Sequence, residues 1–354
     1  MPSLRTVSRR QLTLFIAVSG VVLAAVAAVL LPVPYVILSP GPTLNTLGKG
    51  PAGRSLIQIA GHPTFPTTGH LNLVTVSFQG GPSDSLNVFA ALRAWLTPHE
   101  AVVPEQELFG PGQTQQQVVR QDTQQMASSQ QTATAAALCV LGIKFKTVDT
   151  VATVAKRLPA AGVLRRGDVI TAVDGKPVTC KTGAAQLIRA RPPGAPVTLT
   201  VVRTVGGHRV TKQFHLKTAR VGGRAVVGVA VSESFVFPFN VRIRVGDIGG
   251  PSAGLMFALG IVDKLTPGNL TGGKFVAGTG EISADGTVGA IGGIQQKMVG
   301  ARQAGATVFL TPAGNCADTV GAVPQGMRLV KVSTLAGAMS ALKALAAGRS
   351  VPSC

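Results

Sequence analysis

Aromatic and acidic residues are scarce in this chain of 354 residues. One Trp, one Tyr and 13 Phe are too few for a base-stacking surface or an aromatic cage. Only 14 Asp and Glu stand against 33 Lys and Arg, for a formal net charge of +19. The five histidines are His62, His70, His99, His208 and His215. His99-Glu100 runs on into Ala-Val-Val, so there is no H-E-x-x-H zinc helix. The four cysteines, Cys139, Cys180, Cys316 and Cys354, show no zinc spacing and cannot form a disulfide scaffold. No G-x-x-x-x-G-K-[ST] loop occurs, so these residues encode no Walker-type ATPase. No metal and no cofactor is expected. The 43 Gly and 23 Pro keep no period, which excludes collagen, and 45% hydrophobic residues exclude global disorder.

Hydrophobic residues are abundant and concentrated at the start. Arg5, Arg9 and Arg10 precede Leu12–Leu31, a stretch without one charged residue. About 20 apolar residues cross a bilayer core as a helix, and positive charge before the span predicts a cytoplasmic N-terminus. Residues 1–38 therefore read as a cytoplasmic tail and membrane anchor, with the bulk of the chain outside the cytoplasm. A cleaved signal peptide is the competing reading, because Ala25-Val26-Ala27 fits a small-x-small site. Apolarity continuing to Leu38 favours the anchor. An exported setting permits disulfides, and a Cys316–Cys354 bridge would tie down the tail, residues 347–354, the alternative being four unpaired thiols.

Residues 39–141 read as a juxtamembrane α/β segment. It opens on a turn-rich entry, "SPGPTLNTLGKG" over 39–50, followed by strands at Ile57–Ala60 and Leu71–Phe78. A short amphipathic helix is expected over Leu86–Leu96, and one or two helices over the Gln-rich 113–141. Residues 144–224 carry sixteen Lys and Arg against Asp149, Asp168 and Asp174, a local balance of +13. No nucleic-acid motif accompanies this charge, so no nucleic-acid partner is expected.

"LPAAGVLRRGDVITAVDGKPVT", residues 158–179, resembles the heart of a PDZ domain. Gln186-Leu187-Ile188 matches the groove helix and Val197–Arg203 a strand, giving a domain over 142–218. Such domains bind a peptide by adding it to a sheet edge beside a helix. The resemblance makes "GIKF", with Gly142, Ile143 and Phe145, the carboxylate-binding loop.

The last third holds the chemistry. In "GDIGGPSAGLMFALGIVDKL", residues 246–265, Ser252 sits at a Gly-rich turn that opens an apolar helix. Gly250, Pro251 and Ala253 flank it, and backbone N–H groups at such a turn can hold an oxyanion. Gly250–Gly254 also reads as G-x-S-x-G, but every histidine precedes Ser252, so the α/β-hydrolase order fails. A serine without histidine needs another base. Lys297 lies in "TGEISADGTVGAIGGIQQKMVGARQAGATVFLTP", residues 279–312, beside Met298, Val299 and Ala301. An apolar setting lowers a lysine pKa toward that of a working base.

These two segments resemble the proteolytic domain of Lon over residues 225–346. "GGPSAG" matches the nucleophile turn, and "TGEI" through "IGGIQQK" matches the lysine segment, in order and spacing. The resemblance makes Ser252 the nucleophile and Lys297 the general base, with Thr279 bonded to the lysine and Glu281 supporting the site. Many Lon domains have Asp immediately before Gly-Pro-Ser, where this chain has Gly249.

The whole order resembles a bacterial class with a single-span anchor, a PDZ domain and an ATP-independent Lon-like protease domain. The implied fold is an N-terminal transmembrane helix, then α+β: a PDZ domain followed by a Lon-type α/β proteolytic domain. The implied activity is endopeptidase cleavage of unfolded or C-terminally exposed polypeptides, by a homo-oligomer if the ring-forming habit of Lon carries over. The alternatives are a catalytically silent, membrane-tethered PDZ scaffold and a basic envelope-binding protein.

Overall fold

The computed structural model describes residues 8–50, 53–82 and 84–354; Arg5 lies outside them. Helix α1 (Arg9–Leu30) starts at a capping box, in which Ser8 and Gln11 exchange backbone-to-side-chain hydrogen bonds. Its 22 residues span about 33 Å, and none is buried by the rest of the chain. Strand β1 (Pro32–Val33) follows at once.

Strand β2 (Tyr35–Asn45) occupies the expected turn-rich entry. The prolines misled the sequence reading. Pairing with the neighbouring strand shifts register between Pro40 and Thr43, and such a bulge tolerates residues without an N–H. A Cβ added at Gly41 would lie 2.4 Å from Thr75 Oγ1, so the glycine is needed for close approach rather than for a turn.

Strands β3 (Ile57–Ala60) and β4 (His70–Gln79) form where alternation predicts them. The expected helix over Leu86–Leu96 loses its first two residues to β5 (Leu86–Asn87), which pairs antiparallel with β1. Helix α2 (Val88–Leu96) then starts with Asn87 accepting from the Ala90 N–H. Strand β6 (Ala101–Pro104), the single turn α3 (Glu105–Leu108) and α4 (Gln115–Val140) complete the segment. Helix α4 is one helix, capped by Thr114 and Gln117. Its Ala133–Cys139 run is buried while most of its glutamines face out.

The module expected over 142–218 is built on β7 (Lys146–Val154), β8 (Val169–Val173), β9 (Lys176–Pro177), helix α5 (Ala184–Arg189), β10 (Pro196–Val205) and β11 (His208–Lys217). Asp168 anchors it. Arg203 donates to both Asp168 oxygens at 2.7 Å, beneath an apolar core that includes Val151, Ile170, Ile188 and Leu199. After the small hairpin β12 (Ala219–Val221) and β13 (Arg224–Val226) comes β14 (Val229–Val236). The sheet order is β11-β10-β8-β7-β14, so β14, beyond the expected end of the module, is its edge strand.

Strand β15 (Asn240–Ile243) returns to pair with β3. Helix α6 (Gly254–Leu265), β16 (Phe275–Gly278), the hairpin β17 (Glu281–Ile282) with β18 (Val288–Gly289), α7 (Ile294–Gln303), β19 (Val308–Pro312), β20 (Arg328–Val332) and α8 (Leu335–Ala346) follow. The main sheet runs β20-β19-β16-β4-β2-β6, with β4, β16, β19 and β20 parallel. One face packs on α4, α6 and α8 through Leu71, Leu73, Leu310 and Val330; the other packs on α7 through Val74, Ala277 and Phe309.

Segment 39–141 is thus not a separate unit. It supplies three strands and a helix to the layers of the main sheet, and the module expected over 142–218 is inserted between α4 and β15. Disulfides join Cys139, at the end of α4, to Cys180 in that module, and Cys316 to Cys354 as the sequence suggests.

Candidate active site

Ser252 lies in the turn that feeds α6, a helix buried at every position except Lys264. Its backbone carbonyl accepts from the Thr279 hydroxyl at 2.9 Å and from the Gly280 N–H at 2.8 Å. The Leu255 N–H in turn donates to the Gly280 carbonyl. The strand end at 279–280 and the Ser252 turn therefore hold each other in register.

Lys297 comes from the first turn of α7. Gly293 starts that helix at φ +66°, a conformation natural to glycine, and a Cβ there would lie 2.7 Å from Val76. The lysine is 4% exposed, among buried Gln296, Met298 and Ala301. Its Nζ donates to Ser252 Oγ at 3.0 Å and reaches Thr279 Oγ1 at 3.5 Å. Burial lowers its pKa from 10.5 to about 8, and the negative charge of Glu281 raises it slightly in opposition. A base near neutrality in contact with a hydroxyl is the arrangement needed to activate a serine.

The turn residues divide differently from the sequence reading. The Gly250 N–H is spent on the Asp122 carbonyl at 3.2 Å, and Pro251 has no N–H to offer. Among the described residues no hydrogen bond engages the N–H of Ser252 or of Ala253, so these two are the free donors beside Oγ. Glu281 is exposed and makes no hydrogen bond to the lysine; it acts on it through charge alone.

Two contributions from α4 escaped the sequence reading. Ser129 Oγ donates to the Pro251 carbonyl at 3.0 Å. Asp122 crowds Gly249, where an added Cβ would lie 2.6 Å from the Asp122 Cβ, so the chain has no room for an aspartate at 249. Burial pushes the Asp122 carboxyl pKa up. Nothing in the Gln-rich composition of α4 signals either role. The cleft in front of Ser252 measures about 510 Å³ and is lined by Leu38, Pro42, Phe78, Phe109, Asp122 and Asp247, among others.

Comparison with known proteins matches this architecture. Residues 241–342 match the Lon protease (S16) C-terminal proteolytic domain, and residues 139–218 match the PDZ domain. The chain carries a PDZ domain and a Lon-type proteolytic domain. The Lon-type domain is that of a serine-type peptidase, and it contains Ser252, Thr279 and Lys297.

Lon protease of Clostridioides difficile is 37% identical over 83 residues, 22% of this chain and 10% of that protein. Lon protease 1 of Sorangium cellulosum is 45% identical over 69 residues, 20% of this chain and 8% of that protein. Lon protease of Roseiflexus castenholzii is 41% identical over 105 residues, 29% and 13% respectively. The chain thus spans about a tenth of the length of the curated relatives it matches. Among solved structures, the PDZ domain of an SdrC-like protein from Listeria innocua is 24% identical, covering 24% of this chain and 92% of that one at a TM-score of 0.20.

In the PDZ domain, the expected carboxylate loop is a helix terminus. Gly142, at φ +71°, ends α4, and the Ile143 N–H donates to the Leu138 carbonyl. Ile143 and Phe145 pack against the main core, with Phe145 in an aromatic cluster with Phe235 and Phe237. The hollow of about 680 Å³ that these residues line opens toward Thr171, Val178 and Cys180, with no residue of α5 on its wall. The sheet path ends at β11 on one side and at β14 on the other, and Ala184, Ile188 and Leu187 of α5 share an apolar cluster with Val227, Val229 and Val231, around the start of β14.

Proposed function

We propose that this chain is an ATP-independent serine endopeptidase with a Ser252/Lys297 dyad. In this reading α1 anchors it in the cytoplasmic membrane, and its bulk lies outside. Its substrates are unfolded or flexible exported polypeptides, which the PDZ domain helps to select. The observation that carries the reading is the 3.0 Å contact from Lys297 Nζ to Ser252 Oγ in a buried pocket.

Neutral Lys297 takes the Ser252 proton as Oγ attacks the scissile carbonyl carbon. The carbonyl oxygen becomes an oxyanion facing the N–H groups of Ser252 and Ala253. The lysine, now an ammonium, returns the proton to the departing amine, leaving an acyl-serine. It then draws a proton from the water that attacks the ester and passes that proton to the departing Ser252 Oγ, releasing the acid and restoring the neutral lysine and the hydroxyl. Thr279 holds both partners, binding the Ser252 carbonyl and facing Nζ.

Several features support the remaining parts. The 354 residues hold no P-loop, which suits substrates that need no unfolding. Cleft residues Leu38 and Pro42 lie on β2, three and seven residues from Tyr35 near the end of α1, or about 10 and 23 Å along a strand. That short reach supports a cleft close to the membrane face in this reading. The free β14 edge beside α5 suits addition of a peptide strand.

The test is casein hydrolysis by the vesicle-reconstituted chain without nucleotide. Ser252→Ala and Lys297→Ala should each abolish turnover while leaving the thermal transition in place. The double variant should match either single one, because members of one catalytic unit do not add. Turnover retained in Lys297→Ala would remove the base, and a strict nucleotide requirement would remove ATP independence. A substrate with a blocked C-terminus should be cut more slowly than its free counterpart; equal rates would remove the PDZ role.

A further inference from the structure

Helix α2 is built inside out for a helix in water. Its small residues Ala90, Ala91 and Ala94 face the protein, against Ile37, Leu86 and Val102. Its large apolar residues Phe89, Leu92, Trp95 and Leu96 face outward, 52–76% exposed. A helix on a soluble surface normally does the reverse. Patches of this kind mark a surface that another apolar phase covers.

The position of α2 identifies that phase. Pairing of Pro32 with Asn87 and of Val33 with Leu86 fastens the start of α2 to the residues that leave α1, and α2 also packs against α1 itself. The only Trp in the chain, Trp95, and the only Tyr, Tyr35, thus both lie at the exit of the apolar span. Trp and Tyr favour the membrane–water interface, where a ring can bury its body and keep its polar edge wet.

We propose that the outer face of α2 is seated in the interfacial layer of the lipid bilayer that α1 crosses. This rests on the reading of α1 as a membrane span. The bilayer supplies the apolar cover that the protein does not, and the large side chains enter it while the alanines hold the helix to the domain. With two points of contact, α1 and α2, the domain cannot swivel freely on a single tether. The orientation of the Ser252 cleft relative to the membrane is then fixed.

Trp95 is a built-in probe, since it is the only Trp. The full chain is reconstituted into phosphatidylcholine vesicles, with carbonate extraction reporting on α1 separately. Trp95 emission should be blue-shifted, mostly lost on lipids brominated near the headgroup, and little affected by aqueous acrylamide. L92E/L96E alters only exposed side chains. It should lose the bromolipid quenching while remaining carbonate-resistant and active on casein.

Carbonate resistance with water-like emission and full acrylamide quenching would overturn the seating of α2 while leaving α1 as a span. Shielding from both quenchers would mean that a second protein copy covers the patch, which also overturns the proposal. So would quenching that L92E/L96E leaves undiminished. Release by carbonate would overturn both the span and the seating.

Discussion

The Ser129 hydroxyl donates to the Pro251 carbonyl at 3.0 Å, across a sequence separation of 122 residues. A helix outside the matched Lon-type segment therefore holds the turn that carries Ser252. Ser129→Ala leaves that carbonyl with only the Gly254 N–H, at 3.3 Å, and loses about 1 kcal/mol, the worth of a typical hydrogen bond. It should lower kcat about five- to tenfold with little change in KM, and lower the melting temperature modestly. Ser128→Ala, at an exposed neighbour, should change neither. Steady-state kinetics beside thermal melts decide it, and an unaltered kcat in Ser129→Ala would show that the α4 contact does not position the nucleophile.

Lys297 ties both activity and stability to pH, and both rise as the amine loses its proton. Only the neutral amine accepts the serine proton, so kcat/KM should rise with pH through a midpoint near 8. Glu281→Gln removes the charge that opposes this lowering, and should move the midpoint downward.

For stability, the folded pKa lies below the unfolded value of 10.5. The unfolded chain binds more protons between about 8 and 10.5, so stability rises with pH across that window. Below it the buried site costs roughly 3 kcal/mol. Lys297→Met should be inactive, yet melt higher than the parent at pH 7. A parent-like or lower melting temperature would show that the site bears no such burden.

The two disulfides close loops between residues 41 and 38 positions apart. Chain-entropy arguments assign each about 4 kcal/mol. Maleimide should label no thiol in the folded protein until a reductant is added. Reduction should then lower the melting temperature by more than either single Cys-to-Ser pair does. Cys139→Ser/Cys180→Ser should loosen the PDZ domain from α4 without abolishing cleavage of a short peptide, since Ser252 and Lys297 lie elsewhere. Labelling before reduction would contradict the pairing.

Local chemistry made much of this protein legible in advance. Uninterrupted apolarity marks α1 as a helix long and apolar enough to cross a bilayer. The Gly-rich turn before an apolar run marks Ser252. Glycines that only a tight approach requires, together with the lysine among apolar neighbours, mark Lys297. Asp168 and the Asp174-Gly175 turn lie within the short PDZ pattern of residues 158–179, whereas the pairing of Asp168 with Arg203, 35 residues on, is seen only in the fold.

What the tertiary structure alone decided concerns partners distant in sequence. Pro40 and Pro42 look like turn residues until β4 and α7 are seen packed against them, with a register shift absorbing the missing N–H groups. "GIKF" looks like a binding loop until Gly142 is seen ending α4. Ser129 and Asp122 are ordinary polar residues of a Gln-rich helix until folding brings that helix against the Ser252 turn. Periodicity and turn chemistry record what a residue does to its own backbone. They carry no term for which carbonyl, from more than a hundred residues away, will come to lie opposite it.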